Sequence, residues 1–164
     1  MKRSASLLFA AFSMVFIAAA ASSARDDAPV VGASAVAPKT VIQVYKSPTC
    51  GCCKAWVEHI RAAGFQAEIF DVSDADLQAR KTKLGVGPQL ASCHTAIVNG
   101  YVVEGHVPAA DIERLLREKP AIAGLAAPGM PMGSPGMEMP GGRADKYDVV
   151  AFTKTGTTRV FAHH

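Results

Sequence analysis

The chain of 164 residues is 49% hydrophobic and sets 17 Lys and Arg against 14 Asp and Glu, a formal net charge of +3 at neutral pH. That near balance excludes the strongly basic footprint of a nucleic-acid-binding protein, and the length allows one compact domain with extensions. Four cysteines, Cys50, Cys52, Cys53 and Cys93, then stand out as the residues whose chemistry needs a reason.

At the start, Lys2 and Arg3 precede an uncharged apolar run from Leu7 to Ala21 and the small residues Ser22, Ser23 and Ala24. These are the three parts of a secretory signal peptide, assigned to residues 1–24. The run is shorter than the roughly 20 residues that span a bilayer, so no stable membrane span is expected after cleavage. Cleavage also lowers the net charge by two. Residues 25–39, rich in Ala, Val and Pro without a period, read as a flexible leader. The exported, periplasmic location that follows is an oxidising one.

A core is expected over residues 40–119. Thr40 to Tyr45 (TVIQVY) is β-branched and aromatic and reads as a buried strand that runs straight into the cysteines. After Ser47-Pro48-Thr49 a helical stripe of Trp56, Val57 and Ile60 ends at Gly64. A second strand spans Ala67 to Val72, and Ser73 or Asp74 caps a helix that ends near Gly85. Cys93 to Val98, the turn Asn99-Gly100 and Tyr101 to Glu104 carry a strong hairpin signal. Pro108 opens a helix with Ile112, Leu115 and Leu116 inward. The resulting order is βαβαββα. Residues 120–146 carry too much Gly and Pro for helix or sheet and read as a Met/Gly/Pro-rich loop over the surface. Residues 147–164 form a C-terminal β-hairpin, with strands at Tyr147 to Phe152 and Arg159 to Ala162, followed by a His tail.

Three cysteines within four residues are too crowded to staple a domain, because the stabilisation from a disulfide grows with the loop it encloses. The cluster is therefore reactive or metal-binding. Cys50-Gly51-Cys52-Cys53 is a CxxC with a third cysteine inside it, placed where a strand gives way to a helix. A helix N-terminus lowers the pKa of a thiol from its usual value of about 8.5 and favours the thiolate, the form that attacks disulfides and ligates metals. In a thioredoxin-like sheet the residue opening the strand before the hairpin stands beside the CxxC. Here that place falls to Cys93-His94, so a fourth sulfur and an imidazole are expected to meet the other three.

The strings VYKSPTCGCCKAWVEHIRAAGF, LASCHTAIVNGYVVEGHVPA and PGMPMGSPGMEMPGGRADKYDVVAF resemble the CopG-type copper-resistance family, long filed as a domain of unknown function. The resemblance covers about Thr40 to His164. It implies a thioredoxin-like α/β fold in the periplasm, a copper site at the cysteines, and thiol redox activity.

Residue chemistry points the same way, since soft thiolates favour Cu(I) and zinc and thioethers favour copper. Met130, Met132, Met137 and Met139 crowd into ten residues, either as copper ligands on a loop free to close over the site or as an apolar flap. His94 adjoins Cys93 and reads as a ligand, as the support of one, or as a half-buried hydrogen-bonded residue. His106, near the strand ends, is a further candidate. His59 is placed on the solvated side of its helix. His163 and His164 are a copper-binding tail or a frayed end.

Two functions follow. In the first, Cys50, Cys52, Cys53 and Cys93 bind Cu(I), as a single ion or a small thiolate-bridged multinuclear cluster, with the histidines and methionines assisting and other periplasmic copper-handling proteins as exchange partners. In the second, the protein is a thiol-disulfide oxidoreductase in which Cys50 attacks a partner and Cys53 resolves the mixed disulfide. The chemistries overlap, because thiolates reduce Cu(II) to Cu(I) as they form a disulfide. A structural zinc or iron–sulfur site is the third use of the same thiols, and the CGCC spacing is too tight for the usual zinc pairing.

Overall fold

The computed structural model describes residues 39–164; the expected signal peptide and nearly all of the expected leader lie outside them. Ten regular elements follow in the order β1 (Val41–Lys46), α1 (Gly51–Ala62), β2 (Gln66–Asp71), α2 (Asp74–Lys83), β3 (His94–Val98), β4 (Tyr101–Gly105), α3 (Ala109–Glu118), β5 (Gly124–Ala127), β6 (Asp148–Phe152) and β7 (Thr158–His163), with a single 3-10 turn at Pro88–Leu90 before β3. The first seven reproduce the expected βαβαββα order. All strands join one sheet, ordered β2-β1-β3-β4-β5-β6-β7.

Local chemistry sets the ends of the elements. The last turn of α1 is closed by Gly64 in the left-handed region, φ +95°, with Gly64 N–H donating to the Arg61 carbonyl and Phe65 N–H to that of Ile60, the paired bonds of a glycine-terminated helix. Gly85 ends α2 in the same manner, and Ser73 caps its start by accepting the Asp76 N–H. Asn99 and Gly100 both take positive φ, as a two-residue hairpin turn between β3 and β4 requires.

The sheet is covered on both faces. On one, Trp56 and Ile60 of α1 and Ile112 and Leu115 of α3 pack on Val44, Ala96, Val103 and Leu125; on the other, Val86 and Leu90, from the segment after α2, pack on Val102, Ala126 and Phe152. That second face also holds charge. Lys81 donates to the Glu104 carboxylate and to Thr95 Oγ1, while Glu104 also accepts from Thr95 Oγ1 and from Ser92 N–H. All of these side chains except that of Ser92 are buried.

The stretch expected to be loop differs in one respect: β5, Gly-Leu-Ala-Ala, lies inside it and is fully buried. Its residues have weak strand preference, and burial between β4 and β6 decides the outcome. A Cβ on Gly124 would meet the Val102 backbone and stand 2.8 Å from Val102 Cβ, so only glycine fits there. The C-terminal hairpin is accordingly no appendage, since β6 pairs antiparallel with β5 and continues the sheet.

Truncating one member of the buried ion pair leaves an unpaired charge. Glu104→Ala is expected to lower the unfolding free energy by about 3–5 kcal/mol, measured by urea denaturation, while the paired replacement Lys81→Met with Glu104→Leu recovers most of that loss.

Candidate metal centre

The cysteines are assembled by one strand pairing. β1 and β3 run antiparallel with Lys46 opposite His94, so the chain leaving β1 and the chain entering β3 lie at the same end of the sheet. Cys50 and Cys93 occupy those two segments. Cys50 is the N-cap of α1, and its sulfur accepts the Cys53 N–H at 3.3 Å. The first turn of α1 carries no acidic residue, which leaves its positive end to the sulfurs.

Cys50 and Cys53 are joined as a disulfide, and Cys52 and Cys93 are free thiols. Cys93 Sγ stands 3.5 Å from Cys53 Sγ and 3.8 Å from Cys52 Sγ, and Cys52 Sγ stands 3.6 Å from Cys50 Sγ. All four sulfurs lie within 4.8 Å of one another, a cluster that can hold a metal ion. A cavity bordered by Ser47, Thr49, Leu77, Gln78 and Ser92 opens onto Cys50 and Cys93.

Cys93 belongs to a second group with His94 and His106. His106 Nε2 is 3.0 Å from Cys93 Sγ, and its Nδ1 is 2.8 Å from the Pro135 carbonyl. A carbonyl only accepts, so Nδ1 carries the hydrogen and the Nε2 lone pair faces the sulfur. Metal-binding histidines are commonly oriented in this way by a backbone acceptor. His94 is fully buried, with Nδ1 3.4 Å from Cys93 Sγ and a buried Nε2 that has no hydrogen-bond partner among the described residues. Burial lowers the pKa of both imidazoles, that of His94 well below the usual value. The Cys93 thiol is pushed up to about 12, first by burial and then by Cys52.

The Gly/Pro-rich loop helps to build this arrangement. Ser134 is fully buried and donates to the Pro131 carbonyl, and Gly133 N–H closes a tight loop on the Met137 carbonyl. Gly136, at φ +85°, lies so close to α1 that a Cβ would stand 2.7 Å from Cys52 O and from Trp56 N. That contact seats the Pro135 carbonyl on His106.

The remaining candidates have surroundings of their own. Met130 and Met139 are about half exposed, and Met132 and Met139 line a cavity with Arg143 and Asp145 whose wall includes no cysteine. Met137 enters the loop on α1 through its backbone. His163 Nδ1 pairs with Asp148 at 2.6 Å; His164 Nε2 pairs with Asp111 at 2.7 Å, and its ring stacks on Tyr147. Neither terminal histidine belongs to the two ligand groups among the described residues.

One expectation is corrected. His59 is not on a solvated face: its Nε2 accepts the Ala109 N–H at 3.0 Å. Its position seven residues after Cys52 and three after Trp56, on one helical stripe, is the signal in the sequence. Nothing in the pattern marked the Pro135 carbonyl, because a main-chain acceptor has no residue-type signature.

The family model described as "Protein of unknown function, DUF411" matches residues 90–137, a span that includes Cys93, His106 and the loop as far as Met137. Comparison with curated proteins gives no match. Two solved structures of copper resistance protein CopG are similar to this chain. Form 1 is 46% identical with a TM-score of 0.72, covering 77% of this chain and 98% of its own. Form 2 is 47% identical with a TM-score of 0.70, covering 77% and 99%. With nearly half of the aligned residues identical over almost the full length of those solved chains, the chain belongs to the CopG copper-resistance protein family.

Proposed function

We propose that this protein is a periplasmic copper-binding protein, exported by the signal peptide at residues 1–24, that holds Cu(I) at Cys50, Cys52, Cys53 and Cys93 on a thioredoxin-like frame. The observation that carries the reading is the position of Cys93, 3.5 Å from Cys53 Sγ, 3.8 Å from Cys52 Sγ and 3.0 Å from a lone pair of His106. Four thiols and an oriented imidazole form a soft donor set, which favours Cu(I) over hard cations. Thiolates bridge readily, so the site suits a small multinuclear cluster as well as a single ion. His94, with Nδ1 3.4 Å from Cys93 Sγ, and the methionines serve capture and transfer, and His163 and His164 lend a terminal imidazole pair to exchange with other periplasmic copper-handling proteins.

Redox chemistry uses the same sulfurs. When the Cys50 and Cys53 thiolates close their disulfide they release two electrons, enough to convert two Cu(II) to two Cu(I). In this way the protein interconverts copper states and contributes to copper resistance. A thiol-disulfide oxidoreductase is the second reading. It is favoured by the Cys50–Cys53 bridge at a helix N-terminus, with Cys50 on the wall of an open cavity.

Binding is tested on reduced, oxygen-free protein by competition with a Cu(I) chelator beside a free-thiol count. Wild type is expected to retain at least one Cu(I), and Cys93→Ser to weaken retention by at least about tenfold. Wild type that retains none sinks the copper reading. Insulin-disulfide reduction tests the second reading: activity that survives Cys93→Ser and is lost with Cys50→Ser supports it.

Affinity should also depend on pH with a definite sign. Cys93 holds its proton below about 12, so a bound ion has to displace it, and each displaced proton makes apparent affinity rise about tenfold per pH unit. Retention therefore falls on acidification, and Cys93→Ser is expected to reduce the logarithmic slope by about one.

A further inference from the structure

We propose that His59 and Trp56 are positioning residues that set where His106 stands against Cys93, by clamping the chain segment that follows His106 onto the helix that carries the other cysteines. The proposal deepens the copper reading and rests on it for its effect on binding.

The geometry is a ladder between two pieces of chain. Cys52, Trp56 and His59 follow one another at four- and three-residue intervals along one stripe of α1. Opposite them runs His106-Val107-Pro108-Ala109, the link from β4 to α3. At its near end His106 meets Cys93. One residue on, the Val107 carbonyl accepts the buried Trp56 Nε1–H at 2.9 Å. Two residues further, the Ala109 N–H donates to His59 Nε2 at 3.0 Å.

Each bond answers a need of the link itself. The first N–H groups of a helix lack partners within it. Pro108 stands at the N-cap of α3 and offers no side-chain cap, so His59 supplies the acceptor from another helix. The Val107 carbonyl is buried, and a buried carbonyl without a donor is costly. Gly105 precedes the link at φ +70°, where a Cβ would stand 2.5 Å from Ser92 Cβ and 2.7 Å from the Ala127 carbonyl. The strand therefore turns out of the sheet there, and the direction of His106 beyond the turn depends on what holds the link. Apart from the contacts of His106 itself, α1 holds it at these two points, and α1 also carries Cys52 and Cys53. The clamp thus ties the imidazole and the sulfurs to one rigid body.

The test compares His59→Leu, which removes the acceptor, with His59→Gln, whose amide oxygen keeps one near the same place. Competition with bicinchoninate on the reduced full-length protein reads Cu(I) affinity. Residues that orient metal ligands typically contribute 10- to 100-fold, so His59→Leu is expected to weaken binding about tenfold or more and His59→Gln to stay within about threefold. In a His106→Ala background His59→Leu should add less than about twofold, because a residue acting through His106 has nothing left to position. Trp56→Phe, which keeps the ring bulk and loses the donor, should show the same loss and the same disappearance of effect, and it carries the test if His59→Leu does not fold. Unchanged affinity in the folded variant, or a loss that multiplies with that of His106→Ala, overturns the clamp.

A copper-free measurement separates this proposal from the reading beneath it. In the apoprotein the ring ¹⁵N resonances of His106 should move in His59→Leu and hold in His59→Gln. Immobile resonances overturn the clamp whatever the copper result, whereas wild type without Cu(I) retention overturns the copper reading and leaves the resonance test to decide the clamp.

Discussion

Lys46 closes β1 directly across from His94, which opens β3, and the sulfur cluster depends on that pairing. It puts the exit of one strand and the approach to another at a single edge of the sheet, where α1 also begins. A slip of one residue would turn every side chain of β3 to the opposite face, exchanging the apolar set that includes Ala96 and Val98 with the polar set that includes Thr95. The buried contacts of Thr95 with Lys81 and Glu104 oppose such a slip. Glu104 further holds the N–H of Ser92, the residue immediately before Cys93. The charged network beneath the sheet thus fixes the cysteine above it.

The inner wall of the site, Cys53, His94 and His106, is buried, and its electrostatics follow from that. Burial keeps the His94 and His106 imidazoles neutral and the Cys93 thiol protonated. A neutral, uncharged centre costs less to bury than an array of thiolates. A soft cation that enters is then exchanged for protons, and its charge replaces theirs. The structure meets this with a lone pair already aimed, on His106 Nε2, because the Pro135 carbonyl holds that ring in one tautomer.

Disulfide and metal compete for the same atoms. With Cys50 and Cys53 bridged, only Cys52 and Cys93 remain as thiols; with the bridge reduced, four sulfurs are available. In the proposed function, oxidation state therefore sets how many soft ligands the site offers, which couples the binding of copper to electron transfer without a separate switch.

Much of this was legible from residue order. The β-branched run before CGCC, the stripe Trp56, Val57 and Ile60, the Asn99-Gly100 turn and the helix after Pro108 have periodic or turn chemistry that short-range physics enforces, and the βαβαββα order came from them. β5 was not legible, since Gly-Leu-Ala-Ala has only weak strand preference and is held by neighbours remote in sequence. His59 was misplaced because the periodicity of a helix shows which residues share a stripe but not what that stripe meets. The sequence by itself determined the local elements and the inventory of soft donors, because these depend on neighbours a few positions away. The meeting of Cys93 with the other three sulfurs was expected from the element order, but only the tertiary structure decided their spacing, that a main-chain carbonyl orients His106, and that the methionines Met132 and Met139 line a separate cavity. Those outcomes depend on strand register and loop packing, in which each contact is made by residues far apart in the chain.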